Sequence, residues 1–181
     1  MANAETANPG PLGLMGFGMT TVLLNMHNAG LFPLGTMILA MGIFYGGLAQ
    51  IIAGIEDWTK GNLFGATAFT SYGLFWESLV FLLLMKHWGW GDISTGALIA
   101  YFVFWGIFTF FMWIALAVSK HPWGIQAVFI TLWILFFLLA IRDATGSAAI
   151  ATLTGIEGIV CGLLAMYVSL STVISSMKPK A

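Results

Sequence analysis

The chain has 181 residues, 60% hydrophobic and 7% charged, with a mean hydropathy of +0.96 and a formal net charge of −1. Six basic and seven acidic side chains cannot solvate a 19.5 kDa particle, since soluble domains carry roughly 25% charged residues; lipid must cover most of this one. No Lys/Arg cluster offers a footprint for a nucleic-acid backbone, so nucleic acid is excluded as a partner.

Gly, Pro and charge divide the chain into six apolar runs near residues 11–26, 34–55, 65–85, 97–119, 124–141 and 148–173. Each approaches the roughly 20 residues that a spanning helix needs. The strict alternation of barrel strands is absent, which leaves an all-α membrane protein with six transmembrane helices. Residues 1–10 lack the basic and apolar regions of a cleavable signal, so the mature start is expected at Met1. They are read as an N-terminal segment, residues 11–173 as the membrane domain and residues 174–181 as a C-terminal tail. An even number of spans puts both termini on one side. That side carries Lys60, Lys120, Lys178 and Lys180, against Lys86 and Arg142 opposite, which predicts cytoplasmic termini in a plasma membrane. Trp58, Trp88, Trp90 and Trp123 fall near span ends, where indoles anchor in the headgroup zone.

The first run begins Asn8-Pro9-Gly10-Pro11, with turn formers and a fixed φ at a helix start whose free N–H groups attract an anion or simply need a cap. Phe17, Thr21, Asn25 and Asn28 then recur at spacings of four, four and three on one helical face. Two readings stand for this stripe, lining of a pore and hydrogen bonding between helices. His27 at the same end reads as a pH-sensing imidazole or as an interfacial hydrogen bond. In the second run Gly42 and Gly46 lead on to Ala49 and Ala53, and in the sixth Gly158 and Gly162 lead on to Ala165 and Ser169. Such small-residue stripes let backbones approach in lipid, so helix packing is their expected role.

Glu77 in the third run and Glu157 in the sixth are acids within spans. An ionised side chain at the bilayer centre costs at least about 2.5–3.5 kcal/mol, so each must find a partner or a proton. Glu77 reads as a protonated link between helices or as a proton carrier, and Glu157 as a structural or subunit contact or a gating group. Tyr72 lies about 140° around the helix from Glu77, so the two face different neighbours. Arg142-Asp143 reads as a solvated local pair or as a substrate clamp. The three histidines fall in separate loops without ligand spacing, the single Cys161 sits in an apolar run, and no nucleotide or hydrolase motif occurs. No metal, cofactor or catalysis is expected. Composition and spacing lead to a channel or carrier for a small solute.

The stretch Asn8-Pro9-Gly10-Pro11-Leu12-Gly13-Leu14-Met15-Gly16-Phe17 resembles the N-P-x-P-L-G-L-x-x-F signature of the acetate uptake transporter family, the bacterial succinate/acetate permeases and their fungal relatives. The likeness continues through GMTTVLLNMHNAG, AMGIFYGGLAQIIAG, GNLFGATAFTSYGLFW and CGLLAMY. Gly10 stands where the commoner bacterial motif has Ala. The resemblance implies a homohexamer with a pathway in each protomer, short monocarboxylate substrates, chiefly acetate and in some members succinate, and coupling to protons. By motif position it assigns a hydrophobic constriction to Phe17, Tyr72 and, by looser pattern, Leu132. Glu77 and Glu157 match no role in that pattern. Polar path residues would be Asn8, Thr21, Asn25 and Asn28. Two alternatives in the same class are an acetate-selective anion channel without obligatory proton coupling and a proton-gated urea or amide channel.

Overall fold

The computed structural model describes residues 6–179; the first five residues of the expected N-terminal segment, and Lys180 and Ala181 of the tail, lie outside the described residues. Six helices follow one another: α1 Gly10–Asn28, α2 Thr36–Thr59, α3 Leu63–His87, α4 Thr95–Val118, α5 Trp123–Thr145 and α6 Ala148–Ser176. Asn62, Ser94 and Ser147 cap α3, α4 and α6 by accepting a backbone N–H of the first turn, as short polar side chains do at helix starts. The α2 backbone widens into a π-helix over Gly42–Ala49.

Several helices run past the ends expected from hydropathy: α1 reaches Asn28, α2 Thr59 and α6 Ser176. Charged and polar residues mark the membrane surface, but they do not stop a helix. What ends four of the helices is a left-handed residue that only glycine adopts without strain, with φ of 84° at Gly30, 72° at Gly61, 71° at Gly89 and 62° at Gly146.

Short connections force neighbours in sequence to be neighbours in space, and the six helices close into a ring. α1 packs on α2 and α6, α2 on α3, and α5 on both α4 and α6. α3 and α4 meet through side chains, Ser78 with Tyr101 and Tyr72 with Thr109. Five of the helices are long and apolar enough to cross a membrane, and α1 is not among them. Its Thr, Asn, His and Gly residues lower its apolarity, and its neighbours bury Thr20, Thr21 and Asn25.

The small-residue stripes lie at the tightest crossings. On α6, a Cβ at Gly162 would come 2.7 Å from the Gly18 carbonyl oxygen, and one at Gly158 would fall on the Asn25 side chain. On α2, a Cβ at Gly42 would meet Val80 at 2.5 Å and one at Gly46 would meet Trp76 at 2.8 Å. With no side chain in the seam, backbones approach and gain dispersion contact along their length.

Candidate functional site

A cavity of about 630 Å³ enters the ring from the end opposite the termini. It is lined from α1 by Thr21, Asn25, His27 and Asn28, and its floor is made by Phe17, Phe75, Leu132 and Phe136. The α1 side is a continuous polar ladder. Arg142 Nη1 donates to Asn28 Oδ1 at 3.2 Å, Asn28 Nδ2 to Asn25 Oδ1 at 3.0 Å, and Asn25 Nδ2 to the Thr21 carbonyl at 2.9 Å. The two bonds within α1 follow from its three-residue and four-residue spacing, which stacks these groups on one face; the bond from Arg142 joins α5 to α1. The ladder ends at the Thr21 carbonyl, and the hydroxyl of the same residue is buried and has no hydrogen-bond partner among the described residues. A buried hydroxyl left unpaired costs about 1–3 kcal/mol, so this group is disposed to hold a polar solute one turn above Phe17.

Below it the cavity is closed by rings. Phe17 is 6% exposed, and Tyr72 and Leu132 are each 3% exposed, so all three turn inward. The centroids of Phe17 and Tyr72 lie 6.3 Å apart, and those of Tyr72 and Phe129 lie 6.0 Å apart. Tyr72 Oη donates to Thr109 Oγ1 at 2.9 Å, and Thr109 Oγ1 donates to the Trp105 carbonyl at 2.7 Å. The phenol is thereby held toward α4, and its hydroxyl is already used within the protein. Sequence reasoning missed Thr109, together with Phe75, Phe129 and Phe136. A lone Thr amid the aromatic residues of α4 was the available signal.

The remaining candidates separate. Asn8 is exposed and its Oδ1 accepts the Gly10 N–H at 2.9 Å, closing a turn ahead of α1. His27 Nδ1 is 3.0 Å from the Phe32 carbonyl, at the cavity wall. Glu77 leaves the lumen altogether and sets its carboxyl against Gly47 in the π-helical part of α2, where any Cβ would clash with it. Glu157 lies on α6 beside Gly158, and both its oxygens are buried without a hydrogen-bond partner among the described residues. Gln50, fully buried just past the π-helix with an unpartnered Oε1, was also missed.

Two ion pairs occur among the described residues, both on the cavity lining: Arg142 with Asp143 at 2.6 Å and Lys86 with Asp92 at 2.9 Å. The Lys86 ammonium, by its hydrogen bond, holds the exposed Asp92 carboxyl below its usual range. The ring cluster below the cavity contains no cation, and no metal-binding cluster occurs among the described residues.

The family model described as the GPR1/FUN34/yaaH family matches residues 1–178. The succinate-acetate/proton symporter SatP of Escherichia coli K12 is 51% identical over 97% of this chain and 93% of its own length. The ammonia transport outward protein 2 of Saccharomyces cerevisiae is 34% identical over 89% of this chain and 59% of its own length. A solved structure of the bacterial acetate channel SatP superposes with a TM-score of 0.92 at 49% identity, over 98% of this chain and all of that one.

Proposed function

Because the chain belongs to the GPR1/FUN34/yaaH family, we propose that it moves short monocarboxylates, chiefly acetate, across the plasma membrane in company with protons, through a separate pathway in each subunit of a homohexamer. The observation that carries this reading is the polar ladder that descends to Thr21, whose hydroxyl is unpartnered, and stops at a ring-walled neck without a cation. A carboxylate entering such a neck would lose its hydration and gain no counter-charge. The neutral acid avoids most of that penalty.

The solute collects along Asn28 and Asn25, meets Thr21 through its carboxyl group, and crosses as the acid while Phe17, Tyr72 and Leu132 shift aside. Glu77, Glu157 and His27 are the proposed proton and gating groups, and Asn8 shapes the mouth at the other end. The charge bias of the loops supports cytoplasmic termini, which makes the 630 Å³ cavity an external vestibule. A relative named a symporter and another named a channel point to the measurement that matters. Labelled acetate flux into proteoliposomes, recorded with an internal pH indicator, should show one proton entering with each acetate. Charge movement without proton movement would make the protein an anion channel, and urea or ammonia flux above acetate flux would overturn the carboxylate assignment.

A further inference from the structure

Arg142 and Asp143 occupy the last turns of α5 at the head of the polar ladder. Helical neighbours at i and i+1 do not ordinarily face each other, yet Arg142 Nε donates to Asp143 Oδ1 at 2.6 Å. The pair is no surface ornament: the two side chains are 23% and 14% exposed, and both line the vestibule. Asp143 engages the guanidinium through one oxygen only. Its other oxygen, Oδ2, is buried and has no hydrogen-bond partner among the described residues. A guanidinium presents a planar fork of donors suited to a bidentate carboxylate, so the protein's own carboxylate sits on Arg142 in an incomplete way, with one oxygen left over. The other ionisable groups bordering the vestibule are His27 of α1, with Nδ1 turned to the Phe32 carbonyl, and Lys86 of α3 with Asp92 of the following loop, already matched to each other. The turn into α6 there, residues 146–148, is uncharged.

We propose that Arg142 and Asp143 form an exchange site that takes up one proton and one substrate carboxylate together; this rests on the carboxylate reading above. The incoming carboxylate displaces Asp143 from the guanidinium, and Asp143 takes up one proton from hydronium in the outer solution, leaving water behind. Charge is conserved, since the guanidinium now faces the substrate anion and Asp143 is neutral. Asp143 then passes its proton to the bound carboxylate: an O–H bond breaks on Asp143 and one forms on the substrate. The neutral acid leaves Arg142 for Asn28, Asn25 and Thr21, and the Arg142–Asp143 pair closes again. Each cycle consumes one proton and one carboxylate and delivers one acid to the neck. A neutral amide or urea brings no charge able to displace Asp143, so the site selects carboxylates.

The test is acetate uptake by the full chain in proteoliposomes at about pH 6 and about pH 8, values that bracket neutral working conditions. Arg142→Gln should raise KM by roughly tenfold or more, as expected on losing a hydrogen bond to a charged group, with maximal rate largely kept. Asp143→Asn should lower KM at the higher pH and flatten its pH dependence, and Asp143→Glu should restore that dependence. Wild-type KM values for Arg142→Gln and Asp143→Asn at both pH values would overturn the exchange site. If Asp143→Asn does not elute as folded protein, the Arg142→Gln/Asp143→Asn double variant, which leaves neither charge unpaired, replaces it: a pH-independent KM supports the site, and a wild-type pH dependence overturns it. Wild-type acetate flux no greater than that of empty liposomes would instead sink the transport reading itself.

Discussion

The α1–α6 seam and the sector between α3, α4 and α5 solve the same problem, filling space in a ring of helices, in opposite ways. The seam is built from missing side chains, with Gly18 and Gly162 letting backbone meet backbone and Gly158 leaving room for Asn25. The opposite sector is built from large ones: Tyr72, Phe75, Trp105, Phe108, Phe129 and Phe136 interlock at centroid distances of 5.1–6.4 Å. A seam of backbones has one arrangement, whereas a packed set of rings has rotamers to exchange. Backbone contact therefore favours rigidity on the side that carries the polar ladder, and the opening proposed for the neck would draw on the rings opposite and on the Phe17 side chain.

Substitutions break or sharpen that contrast. The largest effect is expected at the seam, where Gly158→Val drives a branched side chain into Asn25; a loss of roughly 3 kcal/mol, the upper end for overpacking, should abolish monodisperse elution. A variant that elutes and melts like wild type would show that the seam tolerates rearrangement. Glu157→Leu should move the other way, because it removes two buried unpaired oxygens at a gain of about 1–3 kcal/mol, read as a higher Tm. A lower Tm would mean that those oxygens have partners in the assembled protein.

In the ring sector, Tyr72→Phe loses one neutral hydrogen bond, about 1 kcal/mol. It leaves Thr109 still donating to the Trp105 carbonyl, so Tm should fall slightly while acetate uptake changes through the freed ring. An unchanged uptake rate would argue that the phenol is not part of the moving gate. Glu77→Gln keeps size and shape against Gly47, so its stability effect should be below ~1 kcal/mol, with the difference read in the pH profile of uptake. An unaltered profile would assign Glu77 to helix packing alone. The smallest effect is expected at the exposed rim. Asp92 has its carboxyl held below the usual range by Lys86, so any stabilisation is present above the unfolded value and fades as pH falls through the lowered one. Lys86→Gln should leave Tm within error at neutral pH, as exposed pairs do; a clear drop would make the rim pair part of the vestibule's structure.

Hydropathy placed every helix, because lipid permits only runs long enough to satisfy their own backbone. It misplaced the ends of α1 and α2, because the chain there is turned by left-handed Gly30 and Gly61 and not by the charges that mark the surface. The Phe17, Thr21, Asn25 and Asn28 stripe was legible in the same way, since neighbours four and three apart on one helix are fixed by helical geometry alone.

Pairings between helices were not legible. Residue types and spacing within one helix say nothing about which face its neighbour covers, so the sequence determined six helices, a polar first one among them, and two small-residue stripes. Only the packed ring decided that Thr109 takes the Tyr72 hydroxyl, that Glu77 turns away to Gly47, and that Arg142 with Asp143 crowns the ladder. Each of these depends on residues that are tens of positions apart in the chain, or on a side chain bending back along its own helix end. Contacts of that kind exist only once the helices have chosen their partners.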